Sequence, residues 1–160
     1  MPDVIVNTSP LQYLHQIGEL DLFPKLFERI IVPKAVAAEL AAGRRLGVSL
    51  PEPEVLEWID LRIPASAAGG LLSWDLGAGE SAVLSLALEH PGSWVVLDDK
   101  LARQAAVHLK LPLLGTAGIL LRAKRAGHLS AILPVLNQLA ALGFRLTPGT
   151  MRNILDLAHE

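Results

Sequence analysis

The chain has 160 residues, enough for one domain with a proper core and too few for two ordinary ones, so residues 1–160 read as a single domain. Its 14 Lys and Arg against 16 Asp and Glu leave a formal net charge of -2, which excludes a surface that attracts nucleic acid over its whole area but not a local basic patch. Hydrophobic residues make up 51% and aromatics only 4%, so the expected core is Leu, Val, Ile and Ala in helices packed on a sheet; with no cysteine, disulfides and thiolate metal sites are excluded. No apolar run nears the roughly 18 residues that cross a bilayer, and the N-terminus lacks the basic region of a signal peptide, so the expectation is a cytoplasmic protein with no membrane partner.

In chain order, Val4 to Val6 reads as a short buried strand, and Asn7-Thr8-Ser9-Pro10 as a cap opening a helix with Leu11, Leu14 and Ile17 on one face. A shorter helix follows around Pro24, between Leu20 and Phe27. Ile30 to Val32 is the next strand, and Pro33 starts a helix through Ala42 that Gly43 should stop. Gly43 to Pro53 looks like a surface loop, Val55 to Ile63 holds a strand, Ala65 to Leu72 suggests a short helix, and Asp75 to Gly79 a turn. Glu80 opens a helix whose apolar face carries Val83, Leu84, Ala87 and Leu88 before Pro91.

Trp94-Val95-Val96-Leu97 then ends abruptly in Asp98 and Asp99, a short apolar run of the kind buried in parallel sheets. Lys100 to Leu109 is helical, Leu111 to Leu114 is a strand at a sheet edge, and Gly115-Thr116 opens a helix through Ala126. Helices near Ser130 to Leu142 and from Thr147 onward complete the chain. Strands alternating with helices indicate an α/β fold with a central parallel sheet between helical layers.

Ligands of such sheets collect beyond the carboxyl ends of the strands, and polar groups fall there repeatedly: Asn7, Thr8 and Ser9, then Asp98 and Asp99, then Thr116. Helix-borne Glu39 and Glu80 are within reach of the same crevice. Carboxylates gathered around one cavity repel each other, so such a group ordinarily holds protons or a cation; hard oxygen donors suit Mg2+ or Mn2+. Each residue alone has a plainer explanation. Asn7 to Ser9 and Asp98 with Asp99 are natural helix caps, Glu80 suits a helix dipole, and Glu39 suits a solvated helix face. Lys100, Arg103, Arg122, Lys124 and Arg125 read as a solvated face, the last three with some capacity for a phosphate backbone. The five histidines show no ligand spacing.

Five stretches in order carry a resemblance: Val6 to Leu11, Val32 to Leu40, Gly77 to Ala82, Leu97 to Arg103 and Gly115 to Leu120. Together they resemble PIN domains, in particular a prokaryotic subgroup related to VapC-type toxin ribonucleases, and they span nearly the whole chain. The resemblance implies a PIN-like three-layer α/β/α fold and an Mg2+- or Mn2+-dependent endoribonuclease, the toxin of a toxin-antitoxin pair. RNA would be its substrate and an antitoxin protein its partner, with a homodimer also compatible. It assigns catalysis to Glu39, Glu80, Asp98 and Asp99, the metal to Asn7, Glu39, Glu80 and Asp99, and supporting polar roles to Thr8, Ser9 and Thr116. One position departs from the usual pattern: the first strand ends in Asn7 where active PIN nucleases usually carry Asp. An amide oxygen still ligates a hard cation, but one unit of negative charge is gone. Asp3 lies about 13 Å away along an extended strand and cannot replace it. The alternative reading is a catalytically silent PIN-fold module that binds RNA or protein. A phosphotransfer receiver is disfavoured, because its acidic pair belongs after the first strand.

Overall fold

The computed structural model describes residues 2–66 and 74–160. Among the described residues, five strands form one all-parallel sheet in the order β3-β2-β1-β4-β5, with β1 Val4–Val6, β2 Ile30–Pro33, β3 Ile59–Arg62, β4 Trp94–Val96 and β5 Leu113–Leu114. The three residues of β1 are each 0% exposed, which is why they read as an unbroken apolar run and not as an alternating one. Full burial of each Val or Ile side chain contributes about 1.5–3 kcal/mol.

The helices are α1 Thr8–Gln16, α2 Leu22–Leu26, α3 Lys34–Arg45, α4 Ala78–Glu89, α5 Lys100–His108, α6 Thr116–Arg125, α7 Leu133–Ala141 and α8 Pro148–Leu157. They flank the sheet in the three-layer α/β/α arrangement expected of a PIN-like fold. Helix α3 packs on α4, which lies across β1, β2 and β4, while α6 gathers α1, α2 and α8. The nearly apolar α4 buries Val83, Leu84, Leu86 and Ala87.

Several boundaries differ from the sequence expectation. Gly43 does not stop α3, which runs on to Arg45; the missing side chain at 43 instead leaves room for Leu50, whose Cδ1 a Cβ there would strike. The chain turns away from the helix just past its C-cap Leu46, at Gly47, which takes φ +86°, and the last carbonyls are met by Val48 N–H to Gly43 O and Gly47 N–H to Arg44 O. Pro33 is the last residue of β2 and the cap of α3, not its first helical residue. Helix α4 begins two residues before Glu80, at Ala78, so Gly79 lies in its first turn. The strand expected within Val55 to Ile63 is only Ile59–Arg62, preceded by a 3-10 turn at Pro53–Val55. The short helix expected over Ala65 to Leu72 falls mostly on residues 67–73, outside those described.

Helix α7 helps complete the core, whereas α8 has no buried residue and lays half-buried Met151, Ile154 and Leu155 against it. Val135, Leu136 and Leu139 are buried, and Leu133, Leu142 and Leu157 remain exposed. Glu160 fastens the end of the chain to the start of α7: its carboxylate accepts from Ile132 N–H at 2.7 Å, Leu133 N–H at 3.2 Å and Lys124 Nζ at 2.8 Å. No helix among the described residues is long and apolar enough to cross a membrane.

Candidate active site at the strand ends

Register decides which side chains meet. Val6 pairs with Val96 and Val96 with Leu114, so the residues leaving β1, β4 and β5 emerge side by side at the carboxyl edge of the sheet. Asn7 N–H donates to Val96 O at 3.1 Å, and Leu97 N–H donates to Leu114 O at 3.0 Å, tying these exits together.

Asn7 is 4% exposed and occupies the N-cap position of α1, but its side chain makes no capping bond. Its Oδ1 is buried without a hydrogen-bond partner. An amide oxygen removed from water and left unpaired costs about 1–3 kcal/mol, so the position is expensive as a cap that caps nothing. Its neighbour Thr8 turns outward to Glu39: the hydroxyl donates to Glu39 Oε2 at 2.5 Å. Ser9 lies half-buried in the first turn of α1.

Glu39 is exposed, yet it is held from two directions. Besides Thr8, it accepts from Gly79 N–H at 3.0 Å through Oε1, which seats its carboxylate at the amino end of α4 where the helix dipole favours an anion. Gly79 makes that seat possible, since a Cβ there would lie 2.9 Å from both carboxylate oxygens. Glu80, at the third position of the same helix, accepts from Gly77 N–H at 3.0 Å through Oε2.

The two aspartates after β4 separate. Asp98 is half-buried and turns toward β5, where Thr116 clasps it: the backbone N–H donates to Oδ1 at 2.8 Å and the hydroxyl to Oδ2 at 2.5 Å. Burial pushes the Asp98 carboxyl above its ordinary value, opposed by the two Thr116 hydrogen bonds and by the positive charge of Arg103. Asp99 is exposed and caps α5, its Oδ2 accepting from Ala102 N–H at 3.0 Å.

Thus the structure joins Glu39 to Thr8 and Asp98 to Thr116, places Asn7 at the shared edge, and gives one oxygen of Glu80 and one of Asp99 to the ends of their own helices. Among the described residues, no three acidic or histidine side chains converge closely enough to hold a metal ion by themselves. The donor set nevertheless fits a hard cation: Asn7 Oδ1, Glu80 Oε1 and Asp99 Oδ1 carry no hydrogen bond among the described residues, and every available donor is oxygen.

Three residues of this site are not apparent from sequence reasoning. Arg103, which the sequence places on a solvated face, donates through Nη1 to Leu97 O at 2.8 Å and so braces the turn that carries Asp98. Gly115 gives it space, because a Cβ there would lie 2.7 Å from Arg103 Nη1 and 3.1 Å from Asp98 Oδ1. Gly79 reads in the sequence only as part of a turn. The available signal is positional: a glycine directly after a strand or inside a first helical turn, beside carboxylates, marks a close approach.

A family model described as DUF3368, a PIN domain, matches residues 3–160. The chain belongs to this family. No curated protein matches it. PIN-domain membership identifies a nuclease-type module; PIN domains commonly bind RNA and generally use divalent metal ions. The strand-end residues just described are the candidate site of this PIN domain.

Proposed function

We propose that this chain is a single PIN domain over residues 1–160 acting as an Mg2+- or Mn2+-dependent endoribonuclease, the toxin of a toxin-antitoxin pair. The observation that carries the reading is the buried, unpartnered Asn7 Oδ1 at the strand-end edge that Asp98 and Thr116 share. Asn7, Glu39, Glu80 and Asp99 would hold the cation, each keeping lone pairs available. A bound divalent cation would supply activated water and offset the charge that develops on a phosphate in the transition state.

The chain's own residues prepare that chemistry. Thr8 and Gly79 N–H fix the orientation of Glu39, and Thr116 fixes that of Asp98. Asp98, held in place by Thr116 beside Asp99, would accept a proton from the attacking water at one of its carboxylate oxygens. Ser9 supports the polar rim. Exposed Leu133, Leu142 and Leu157 on the last helices offer apolar contact to an antitoxin, or to a second copy in a homodimer. The test is cleavage of single-stranded RNA with Mn2+ and with a chelator, for the wild type and for Glu39→Gln. Metal-dependent cleavage that the variant loses is expected. RNA left intact by the wild type at every metal concentration overturns the reading in favour of a silent binding module.

A further inference from the structure

Beside the carboxylates lies a cavity of ≈ 860 Å³. Helix α5 and β5 supply part of its lining, and the start of α6 with the segment from Phe144 into α8 supplies the rest. Asp98 is among the lining residues, so whatever fills the cavity reaches the candidate active site. Three cations also line it, Lys100, Arg103 and Arg145. None of them takes part in the ion pairs found among the described residues, which are Lys25–Asp21, Arg62–Asp60 and Lys124–Glu160. In a chain whose formal net charge is -2, three such cations facing one carboxylate in a single concavity form a local reversal of sign. This is the basic patch that composition alone left open, and it lies on different residues from the Arg122, Lys124 and Arg125 group: Arg122 is taken up between the Phe27 and Trp94 rings and Lys124 by Glu160.

The remaining lining is mostly apolar, with one aromatic ring, Phe144, which also meets Tyr13 edge-on, and with Gln104, Thr147 and Thr150 as its polar members. Cations to meet phosphates, next to apolar and aromatic surface to meet the faces of bases, suit a strand whose bases are exposed; a duplex hides those faces. From the charge and from the continuity with Asp98, we infer that this groove binds a single-stranded RNA segment flanking the scissile phosphate, with Lys100 and Arg145 on its backbone and Phe144 against a base. The inference rests on the ribonuclease reading for the role of the carboxylates, but binding in the groove does not require cleavage.

The experiment measures binding of a fluorescent oligouridine of about 12 nucleotides in excess chelator, as a function of salt, with a poly-glutamate peptide assayed in parallel. The wild type should bind the oligonucleotide, more weakly as salt rises. Lys100→Ala/Arg145→Ala should weaken binding on the order of tenfold and reduce the magnitude of the log–log salt slope by about 0.7 for each phosphate no longer neutralised. Phe144→Leu should weaken binding with the slope unchanged. Arg29→Ala, at the opposite end of the sheet, should behave as wild type; circular dichroism confirms that each variant is folded. Equal affinity in wild type and all variants overturns the proposal. So does peptide binding that is abolished in the variants while the oligonucleotide fails to bind, which would make the groove a protein-docking site. Cleavage with Mn2+ is scored separately. RNA held in the groove and never cut defeats the ribonuclease reading alone, whereas RNA cut with affinity unchanged by the variants defeats the groove alone.

Discussion

Gly79→Ala separates stability from function at this site. The new Cβ would lie 2.9 Å from both Glu39 carboxylate oxygens and 3.1 Å from Cδ, so the carboxylate must withdraw by about half an ångström to reach ordinary contact. That stretches the 3.0 Å bond from Gly79 N–H and disturbs the one from Thr8. A hydrogen bond to a charged group contributes about 1.5–3 kcal/mol when shielded from water; Glu39 is exposed, and about 1 kcal/mol is a fairer figure. Replacing Gly by Ala in a helix returns up to about 1 kcal/mol. The two effects nearly cancel, and the melting temperature without metal should change little.

The response to metal should change more. Disturbing the group that orients a ligand lowers metal affinity by about tenfold or more, which removes about 1.4 kcal/mol of the stabilisation conferred by saturating Mn2+. Thermal melts with and without Mn2+ measure both quantities. In a Glu39→Gln background, adding Gly79→Ala should bring no further reduction of the Mn2+ effect. A Gly79→Ala variant that keeps the full Mn2+ stabilisation and wild-type RNA cleavage would refute the argument that Glu39 works from this seat.

Other expectations follow from single residues. Gly47→Ala should destabilise by about 1 kcal/mol through its positive φ alone, because no atom lies within 4 Å of the added Cβ; denaturant unfolding checks this. Leu139→Ala, at a fully buried position, should cost about 2–5 kcal/mol, whereas Leu142→Ala, 43% exposed, should fall within about 0.5 kcal/mol. The Lys124 ammonium, with the Ile132 and Leu133 N–H groups, holds the Glu160 carboxyl below its ordinary value of 4.5; its contribution is full above that pH and is lost as pH falls through the lower folded value. The stability difference between wild type and Glu160→Gln should therefore shrink in acid, and unfolding curves across that range would show it.

Most of the fold is legible in the chain because fully buried parallel strands are short apolar runs with punctuated ends. Val4 to Val6 are of this kind, as are Val95 and Val96 behind a half-buried Trp94, and the helix starts at Lys100 and Thr116 follow from the same punctuation. Gly43 misleads because a glycine that ends a helix and one that admits a neighbouring side chain look the same in sequence; only the position of Leu50 tells them apart. The site is legible as a set of polar residues at strand ends, but not as a geometry. Asp98 and Asp99 are chemically identical neighbours, and the Thr116 clasp that turns one inward depends on β4–β5 register. Arg103 is hidden for the same reason, since its partner is a backbone carbonyl on another element.

On the proposed function, oxygen donors at the strand ends, Asn7 among them, hold a divalent cation. Calorimetric titration of Mn2+ into the wild type, Asn7→Asp and Glu39→Gln, without RNA, tests it most directly. Asn7→Asp adds a hard anionic ligand where a buried oxygen already lacks a partner, so it should bind Mn2+ more tightly than the wild type, and Glu39→Gln more weakly by about tenfold. Three indistinguishable titrations, or no binding by any of them at millimolar Mn2+, would contradict the account.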